Sequence, residues 1–257
     1  MQDVDIERRF GGVSRLYGTS GLAKLQAAHV VVIGIGGVGS WAAEALARNA
    51  VGNITLVDLD NIAESNVNRQ IHALEANFGK AKITAMHERI LSINPNCVVR
   101  EIEDFVTLDN VSKMLDFHSS VMLDCTDDVK AKIALVLNAK ATQTPMIIVG
   151  AAGGRLDPTR MKTADLSQVQ GDKLLAKVRD QLRRDYQFPK ATQTKKSAKF
   201  GFVCVYSDEP VIKPEAACET DALTGLNCAG YGSSVCVTAS MGFAAAQLAI
   251  NLMIAWT

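Results

Sequence analysis

Four glycines interrupt an apolar run near the start of the chain. Gly34, Gly36, Gly37 and Gly39 follow the valine-rich residues 29–33 and lead into an alanine-rich stretch. Glycines at such a junction let a ligand approach the backbone N–H groups of a helix N-terminus, which is a common way to bind phosphate. The pattern predicts a nucleotide ligand. Taken alone, it also fits dehydrogenases, flavoproteins and ligand-free packing of a strand against a helix.

Acidic residues follow the second apolar run. Asp58 comes about twenty residues after the glycines, where a carboxylate typically accepts hydrogen bonds from ribose hydroxyls. Asp60 lies two residues further on. We count both residues among the nucleotide-binding candidates, and up to this point the pattern also fits a dehydrogenase.

Further charged residues distinguish the candidate ligands. Asn66, Arg69 and Lys82 lie downstream of the acidic pair, and Asp127 follows a later apolar run. A neutral dihydronicotinamide needs no additional cations, whereas a triphosphate with its metal ion does. Arg and Lys neutralise charge at a reacting phosphorus, and a carboxylate holds Mg²⁺. We therefore expect ATP and Mg²⁺ as cofactors.

Less specific explanations exist for the same side chains. Arg69 alone could form a surface ion pair, and Asp127 could cap the helix that follows it, since Asp is favoured at that position. Cys125, beside Asp127, is expected to be a small buried apolar residue and not a nucleophile.

Length and composition indicate a compact enzyme. The chain has 257 residues with 48% hydrophobic content, enough for a large core in one enlarged domain or in one domain with an appendage. Its formal net charge of zero excludes an overall basic field, so any RNA contact requires a local patch. The six cysteines form no Cys-x-x-Cys pair, which predicts neither structural zinc nor a disulfide framework. With no secretory signal apparent, we expect a cytoplasmic protein.

Apolar runs alternate with helical patterns through the first two thirds of the chain. The expected strands are 29–34, 53–57, 98–103, 120–124 and 146–150, and the expected helices are 38–49, 80–93, 109–117 and 129–142. This alternation predicts an α/β fold with a doubly wound, mostly parallel Rossmann-like sheet and helices on both faces. Ligands of such sheets bind at the carboxyl ends of the strands, where Asp58 and Asp127 fall.

The chain divides into three predicted parts, namely a helical arm over 1–28, an ATP-binding domain over 29–155 and an irregular, partly antiparallel extension over 156–257. Within these parts we expect an arm helix over 6–26, an edge strand over 160–165, a charged helix over 173–186, a strand over 200–211 and an apolar helix over 233–255. The last helix is long enough to cross a membrane, but its polar residues favour burial or a dimer interface over membrane association.

The order of motifs resembles the ubiquitin-activating-enzyme superfamily, including the bacterial adenylyltransferases of molybdopterin and thiamine synthesis. The motifs are Gly-x-Gly-Gly-x-Gly, Asp-x-Asp, Ser-Asn-x-x-Arg-Gln, Gly-x-x-Lys and Asp-x-x-Asp, within residues 7–155. Over nearly the full length, stretches 9–18, 37–48, 68–73 and 221–234 are similar to the branch of tRNA threonylcarbamoyladenosine dehydratases.

This resemblance implies a reaction and a role for each residue. The reaction would be ATP-dependent ring closure of threonylcarbamoyladenosine beside the anticodon of tRNA. Asp58 would bind ribose, residues 36–39 would approach the phosphates, and Asn66, Arg69 and Lys82 would contact the triphosphate. Asp127 would hold the magnesium ion. Arg9 would reach the active site of a second subunit, so a homodimer is expected, although a solvated helix face is an alternative for this residue.

Other functions remain open at this level. The chain could adenylate the C-terminal glycine of a ubiquitin-like sulfur carrier, although the missing Cys-x-x-Cys pairs disfavour this. A nicotinamide-dependent oxidoreductase and a noncatalytic nucleotide-binding adaptor fit less well. Cys204 and Cys228 could serve a sulfur-transfer partner, but a structural role is favoured. Lys190, Lys195, Lys196 and Lys199 form either solvated loop charge or a patch for RNA phosphates.

Overall fold

Seven strands form one sheet in the order β3-β2-β1-β4-β5-β7-β6. The computed structural model describes residues 5–190, 198–212 and 231–255. The strands are β1 (His29–Ile33), β2 (Asn53–Val57), β3 (Val98–Ile102), β4 (Val121–Asp124), β5 (Met146–Val149), β6 (Met161–Asp165) and β7 (Val203–Ser207). All neighbouring pairs are parallel except β6 and β7, which pair antiparallel at one edge. The expected fold class is confirmed.

Helices cover both faces of the sheet. They are α1 (Ile6–Ala27), α2 (Gly39–Arg48), α3 (Lys82–Ile93), α4 (Val111–Met114), α5 (Val129–Thr142), α6 (Lys173–Asp185) and α7 (Val235–Ala255). The two large core clusters lie on opposite faces: one contains apolar residues of α1, α2, α3 and α7, and the second contains residues of α4, α5 and α6. The central strands are buried on both sides, which explains their continuous runs of valine, isoleucine and leucine.

Two expected elements are shorter than the sequence predicts. The helix expected over 109–117 is a single turn, because the side chains of Thr107 and Asn110 bond each other's backbone N–H groups and hold the preceding residues in a turn. The strand expected over 200–211 begins only at Val203. Upstream of it, the carboxylate of Asp165 accepts the N–H groups of Phe200 and Gly201.

Helix α7 is a core helix. It is long and apolar enough to cross a membrane, yet half of its most apolar window is buried inside the protein. It packs closely on α2 through Gly242, where an added Cβ would lie 2.5 Å from the carbonyl oxygen of Val38. The last helix of the chain therefore covers the helix that follows the glycine-rich turn.

Candidate functional site

The glycine-rich turn joins β1 to α2 at the carboxyl edge of the sheet. Gly34 has a φ of +85°, and a Cβ there would lie 2.9 Å from the carbonyl carbon of Cys125. A Cβ at Gly39 would meet the carbonyl oxygen of Gly34 at 1.9 Å, so both glycines are needed for backbone packing. Gly36 differs, because nothing lies within 4 Å of the position of its Cβ. The turn thus leaves open space at Gly36, where a phosphate could approach the backbone.

Asp58 fixes this turn to the end of β2. Its Oδ2 accepts the N–H of Ile35 at 2.6 Å, and its Oδ1 accepts the N–H of Asp60 at 2.9 Å. Burial raises the pKa of the Asp58 carboxyl, and the nearby Lys82 partly opposes that effect. A carboxylate held in this way can accept hydrogen bonds from ribose hydroxyls beside the glycine turn.

Lys82 begins α3 and joins the two acidic residues. Its Nζ lies 2.6 Å from Oδ2 of Asp60 and 3.8 Å from Oδ1 of Asp58. The side chain is only 8% exposed, whereas that of Asp60 is 55% exposed. The structure therefore brings these three predicted residues together, with one buried cation between two carboxylates.

Arg69 packs against the glycine turn at Gly37. A Cβ at Gly37 would lie 3.1 Å from Cγ of Arg69, and the carbonyl oxygen of Arg69 accepts the indole N–H of Trp41 at 2.9 Å. The guanidinium donates to the carbonyl oxygen of Ser65 and to Oδ1 of Asn68, both at 2.8 Å. Its position is thus fixed by contacts in the loop and in α2.

Asp127 lies near enough to this guanidinium for its charge to act on it. Burial lowers the pKa of Arg69, and the charge of Asp127 partly opposes the shift, so the two predicted residues interact electrostatically. Asp127 does not cap the next helix, because the N-cap of α5 is Asp128, whose side chain accepts the N–H of Lys130. The helix-capping role considered for Asp127 is therefore filled by Asp128.

Asn66 lies three residues before Arg69, in the loop between β2 and α3, and is buried. Its Oδ1 accepts the N–H of Ala63 at 3.1 Å, which closes a 3₁₀ turn over Glu64–Asn66. The side-chain oxygen is thus used locally.

Arg9 lies apart from the other predicted residues. Its Nη1 donates to the carbonyl oxygens of Ile93 at 2.7 Å and Ser92 at 3.4 Å, at the end of α3. Lys82 and Ile93 are the two ends of α3, about 16 Å apart at 1.5 Å per residue. Within one subunit, Arg9 therefore does not join the cluster at the strand ends.

A buried ion pair at the end of β4, next to the loop that carries Asp127, was not predicted from the sequence. The carboxylate of Asp124 at the end of β4 lies 3.1 Å from Nζ of Lys132, and both side chains are fully buried. Asp124 also accepts the N–H and hydroxyl of Thr126, while Lys132 donates to the carbonyl oxygen of Val149 at the end of β5. The available signal was a lysine directly before the apolar run Ile133–Leu137 of α5.

The remaining candidates are the cysteines and the loop lysines, some of which lie outside the described residues. Burial raises the pKa of the Cys125 thiol to about 12 and also raises that of Cys204, which disfavours both as nucleophiles. Cys204 is buried as expected, whereas Cys125 is only partly buried. Cys228, Lys195 and Lys196 lie outside the described residues. Within the described ranges, no three His, Cys, Asp or Glu side chains gather into a metal site.

This arrangement combines an open glycine turn, two carboxylates, a buried lysine and an Arg–Asp pair at one edge of a parallel sheet. Cations of this kind stabilise charge at a phosphorus centre, and a single carboxylate suits Mg²⁺ that is also bound by phosphate oxygens.

Comparison with known proteins identifies the family. The ThiF family profile matches residues 11–256. The chain belongs to the ThiF family. A tRNA threonylcarbamoyladenosine dehydratase of Haemophilus influenzae is 44% identical over 251 residues, which cover 96% of this chain and 94% of the relative.

Solved structures of ThiF-family relatives agree with the fold. The Escherichia coli tRNA N6-threonylcarbamoyladenosine dehydratase TcdA, in complex with ATP, aligns with a TM-score of 0.88 and 41% identity. The alignment covers 99% of this chain and 98% of that protein. A molybdopterin-synthase adenylyltransferase of Salmonella typhimurium is 31% identical over 135 residues, only 52% of this chain. Similarity to the dehydratases thus extends through the C-terminal half, whereas this adenylyltransferase matches half of the chain.

Proposed function

We propose that this protein is an ATP-dependent tRNA threonylcarbamoyladenosine dehydratase. The observation that carries the proposal is the 44% identity to a dehydratase across 96% of the chain, since it includes the C-terminal elements as well as the nucleotide motifs. A tRNA substrate is also consistent with a cytoplasmic location. Adenylation of a sulfur carrier is the alternative, and the 52% coverage by the adenylyltransferase supports it less.

The reaction requires activation of a poor electrophile. An oxygen of the substrate carboxylate attacks the α-phosphorus of ATP, the bond to pyrophosphate breaks, and an acyl-adenylate forms. The carbamoyl group of the same side chain then attacks the acyl carbon, AMP leaves, and the ring closes with the net loss of one water. Because this capture is intramolecular, its effective molarity is high and no enzyme nucleophile is needed.

In this proposal, each residue near the strand ends has a separate role in binding or activating ATP. Asp58 binds the ribose, and the open backbone at Gly36 approaches the phosphates. Arg69 and Lys82 stabilise negative charge that develops on the transferring phosphorus. For Lys82 this means exchanging its ion pair with Asp60 for phosphate oxygens. Asn66 holds the loop that carries Arg69.

Asp127 is the residue suited to hold Mg²⁺. It lies at the end of β4, it does not cap α5, and its charge acts on Arg69. A bound Mg²⁺ would neutralise triphosphate charge, with phosphate oxygens supplying most of the remaining ligands. We also propose that Arg9 acts in a second subunit of a homodimer, which fits its distance from the site in its own subunit.

The decisive assay incubates the purified protein with ATP and tRNA that bears threonylcarbamoyladenosine, followed by nucleoside mass spectrometry under gentle conditions. We expect the modified nucleoside to lose the mass of one water, with AMP and pyrophosphate as coproducts. A sulfur-carrier protein with a C-terminal diglycine serves as the competing substrate. Adenylation of that carrier with no dehydrated nucleoside would overturn the proposal in favour of the alternative.

A further inference from the structure

A polar cavity lies at the end of α2 opposite the glycine turn. Its volume is about 430 Å³, and it opens between the start of α1 and the ends of α2 and α3. The residues that line it are Arg9, Phe10, Arg48, Arg89, Ser92 and Ile93. We call it the arginine pocket, because three of these six side chains carry guanidinium groups.

A buried carboxylate holds two of the arginines in place. Glu44, on α2, has a side chain that is only 4% exposed. Its Oε1 accepts from Nε of Arg48 at 2.7 Å, and its Oε2 accepts from Nε of Arg89 at 2.6 Å. Nη2 of Arg89 also donates to Oε1 at 3.1 Å. Fixed guanidiniums lose little conformational entropy when they bind a ligand.

Donors remain available after these bonds are made. Among the described residues, the two terminal nitrogens of Arg48 and Nη1 of Arg89 have no hydrogen-bond partner. Three arginines and one glutamate leave a formal charge of +2 around the cavity. The pocket thus presents oriented, uncompensated donors, which is the arrangement that binds a tetrahedral oxyanion in bidentate fashion.

This pocket opens at the opposite end of α3 from the glycine turn. Ile93, which lines it, is about 16 Å from Lys82, the first residue of that helix. The volume also exceeds what a bare phosphate ion needs. A phosphate that is part of a larger chain fits both the size and the charge.

We propose that the arginine pocket binds a backbone phosphate of the tRNA substrate. The inference rests on the proposed function and deepens it by assigning Arg48 and Arg89 to substrate binding. It supplies the local basic patch that a chain of zero net charge requires for RNA. If Arg9 reaches the active site of a second subunit, the pocket lies beside that site, where the RNA backbone would pass.

The test measures binding of tRNA separately from turnover. Arg48→Gln leaves Arg89 paired with Glu44, and the double variant Glu44→Gln/Arg89→Gln avoids an unpaired buried carboxylate. Lys113→Gln removes an exposed positive charge on α4, which packs on the other face of the sheet, and is the control. Affinity for tRNA is measured between about 50 and 200 mM salt, where phosphate contacts change it strongly, together with ATP affinity and sedimentation velocity.

We expect each pocket variant to bind tRNA about tenfold more weakly, because it loses a charge-assisted hydrogen bond. In Arg48→Gln, which lowers the formal charge of the pocket from +2 to +1, the slope of log affinity against log salt should fall by about one. The double variant keeps a charge of +2, so its slope should change less, and ATP affinity should be unchanged in both variants. Wild-type affinity and slope in both variants would overturn the assignment. So would a variant that changes only the oligomeric state, since a carboxylate of a second copy would then be the occupant. Either result leaves the proposed function intact, which fails only if the wild-type enzyme does not dehydrate the nucleoside.

Discussion

Two fully buried ion pairs lie at neighbouring strand ends and stabilise different parts of the molecule. Asp124 and Lys132 lie behind the loop that carries Asp127, and Lys132 also bonds the end of β5. Arg155 and Asp172 are equally buried, at 3.2 Å. There, Asp172 accepts the N–H of Leu175 as the N-cap of α6.

The difference lies in what each pair positions. The first pair fixes a loop whose next acidic residue faces Arg69, so we assign it to the nucleotide region. The second pair attaches the loop after β5 to α6, outside the predicted catalytic residues, and its carboxylate also accepts the N–H of Ala151. We therefore expect losses in the nucleotide region to lower the rate of the folded enzyme, and losses in the C-terminal region to lower stability alone.

Replacing each buried cation with Met gives the largest expected effect. Lys132→Met and Arg155→Met each leave an unpaired buried carboxylate, which should cost about 3–5 kcal/mol of unfolding free energy. Only Lys132→Met should also lower kcat. Urea titration gives the unfolding free energy and the folded fraction of each variant, and kcat is then expressed per folded active site. The double variant Asp124→Asn/Lys132→Met controls for instability. Equal losses of kcat in the two single variants would contradict the assignment of only the Asp124–Lys132 pair to the nucleotide region.

Arg69→Ala should lower kcat about a hundredfold, since one donor to a developing oxyanion contributes about 3 kcal/mol. ATP affinity, measured by calorimetry, should change much less. The matched control is Arg179→Ala on α6, which loses a hydrogen bond to the carbonyl oxygen of Val169 and should affect stability only. Parallel losses of affinity and rate in Arg69→Ala would indicate ground-state positioning instead.

Acid sensitivity should originate in the nucleotide region. Burial lowers the pKa of His72 to about 4, and the charges of Lys82 and Arg89 add to the shift. Its stabilising contribution is complete above the unfolded pKa of 6.5 and is lost as pH falls toward 4. When the pH falls from 7 to 5, protonation linked to this one residue should lower the free energy of unfolding by about 2 kcal/mol.

Urea unfolding at the two pH values tests this assignment. The variant His72→Leu should lose that part of the pH dependence, whereas His118→Gln, at an exposed position, should keep it. An unchanged dependence in His72→Leu would place the acid-sensitive group elsewhere.

The smallest expected effect concerns the contact that orients Arg69. Trp41→Phe keeps an aromatic ring beside Phe243 but removes the indole donor to the carbonyl oxygen of Arg69. We expect about 1 kcal/mol of stability to be lost and kcat to fall several-fold. Phe243→Leu, on the same aromatic contact, is the control for packing. If both variants behave alike, the hydrogen bond has no role in positioning.

The sequence predicted the parallel sheet well, because its buried strands are continuous apolar runs between glycine and helix signals. It also identified Asp58, Lys82 and Arg69, which the fold brings to one edge. It missed what depends on contacts distant in the chain. Lys132 bonds a strand end 17 residues away, and Asp165 accepts the N–H of Phe200, 35 residues downstream, just before β7 begins. The spacing of Arg48 and Arg89 in the chain gives no sign that they share Glu44.

The packing of α7 on α2 has a consequence for how the chain is made. The residues that cover the helix after the glycine turn are synthesised some two hundred positions after Val38. Until they emerge, α2 lacks the close packing of Gly242 on Val38 and Ala42. Contacts of such long sequence separation form slowly. A nascent or prematurely ended chain therefore holds the nucleotide motifs without the helix that packs beside them.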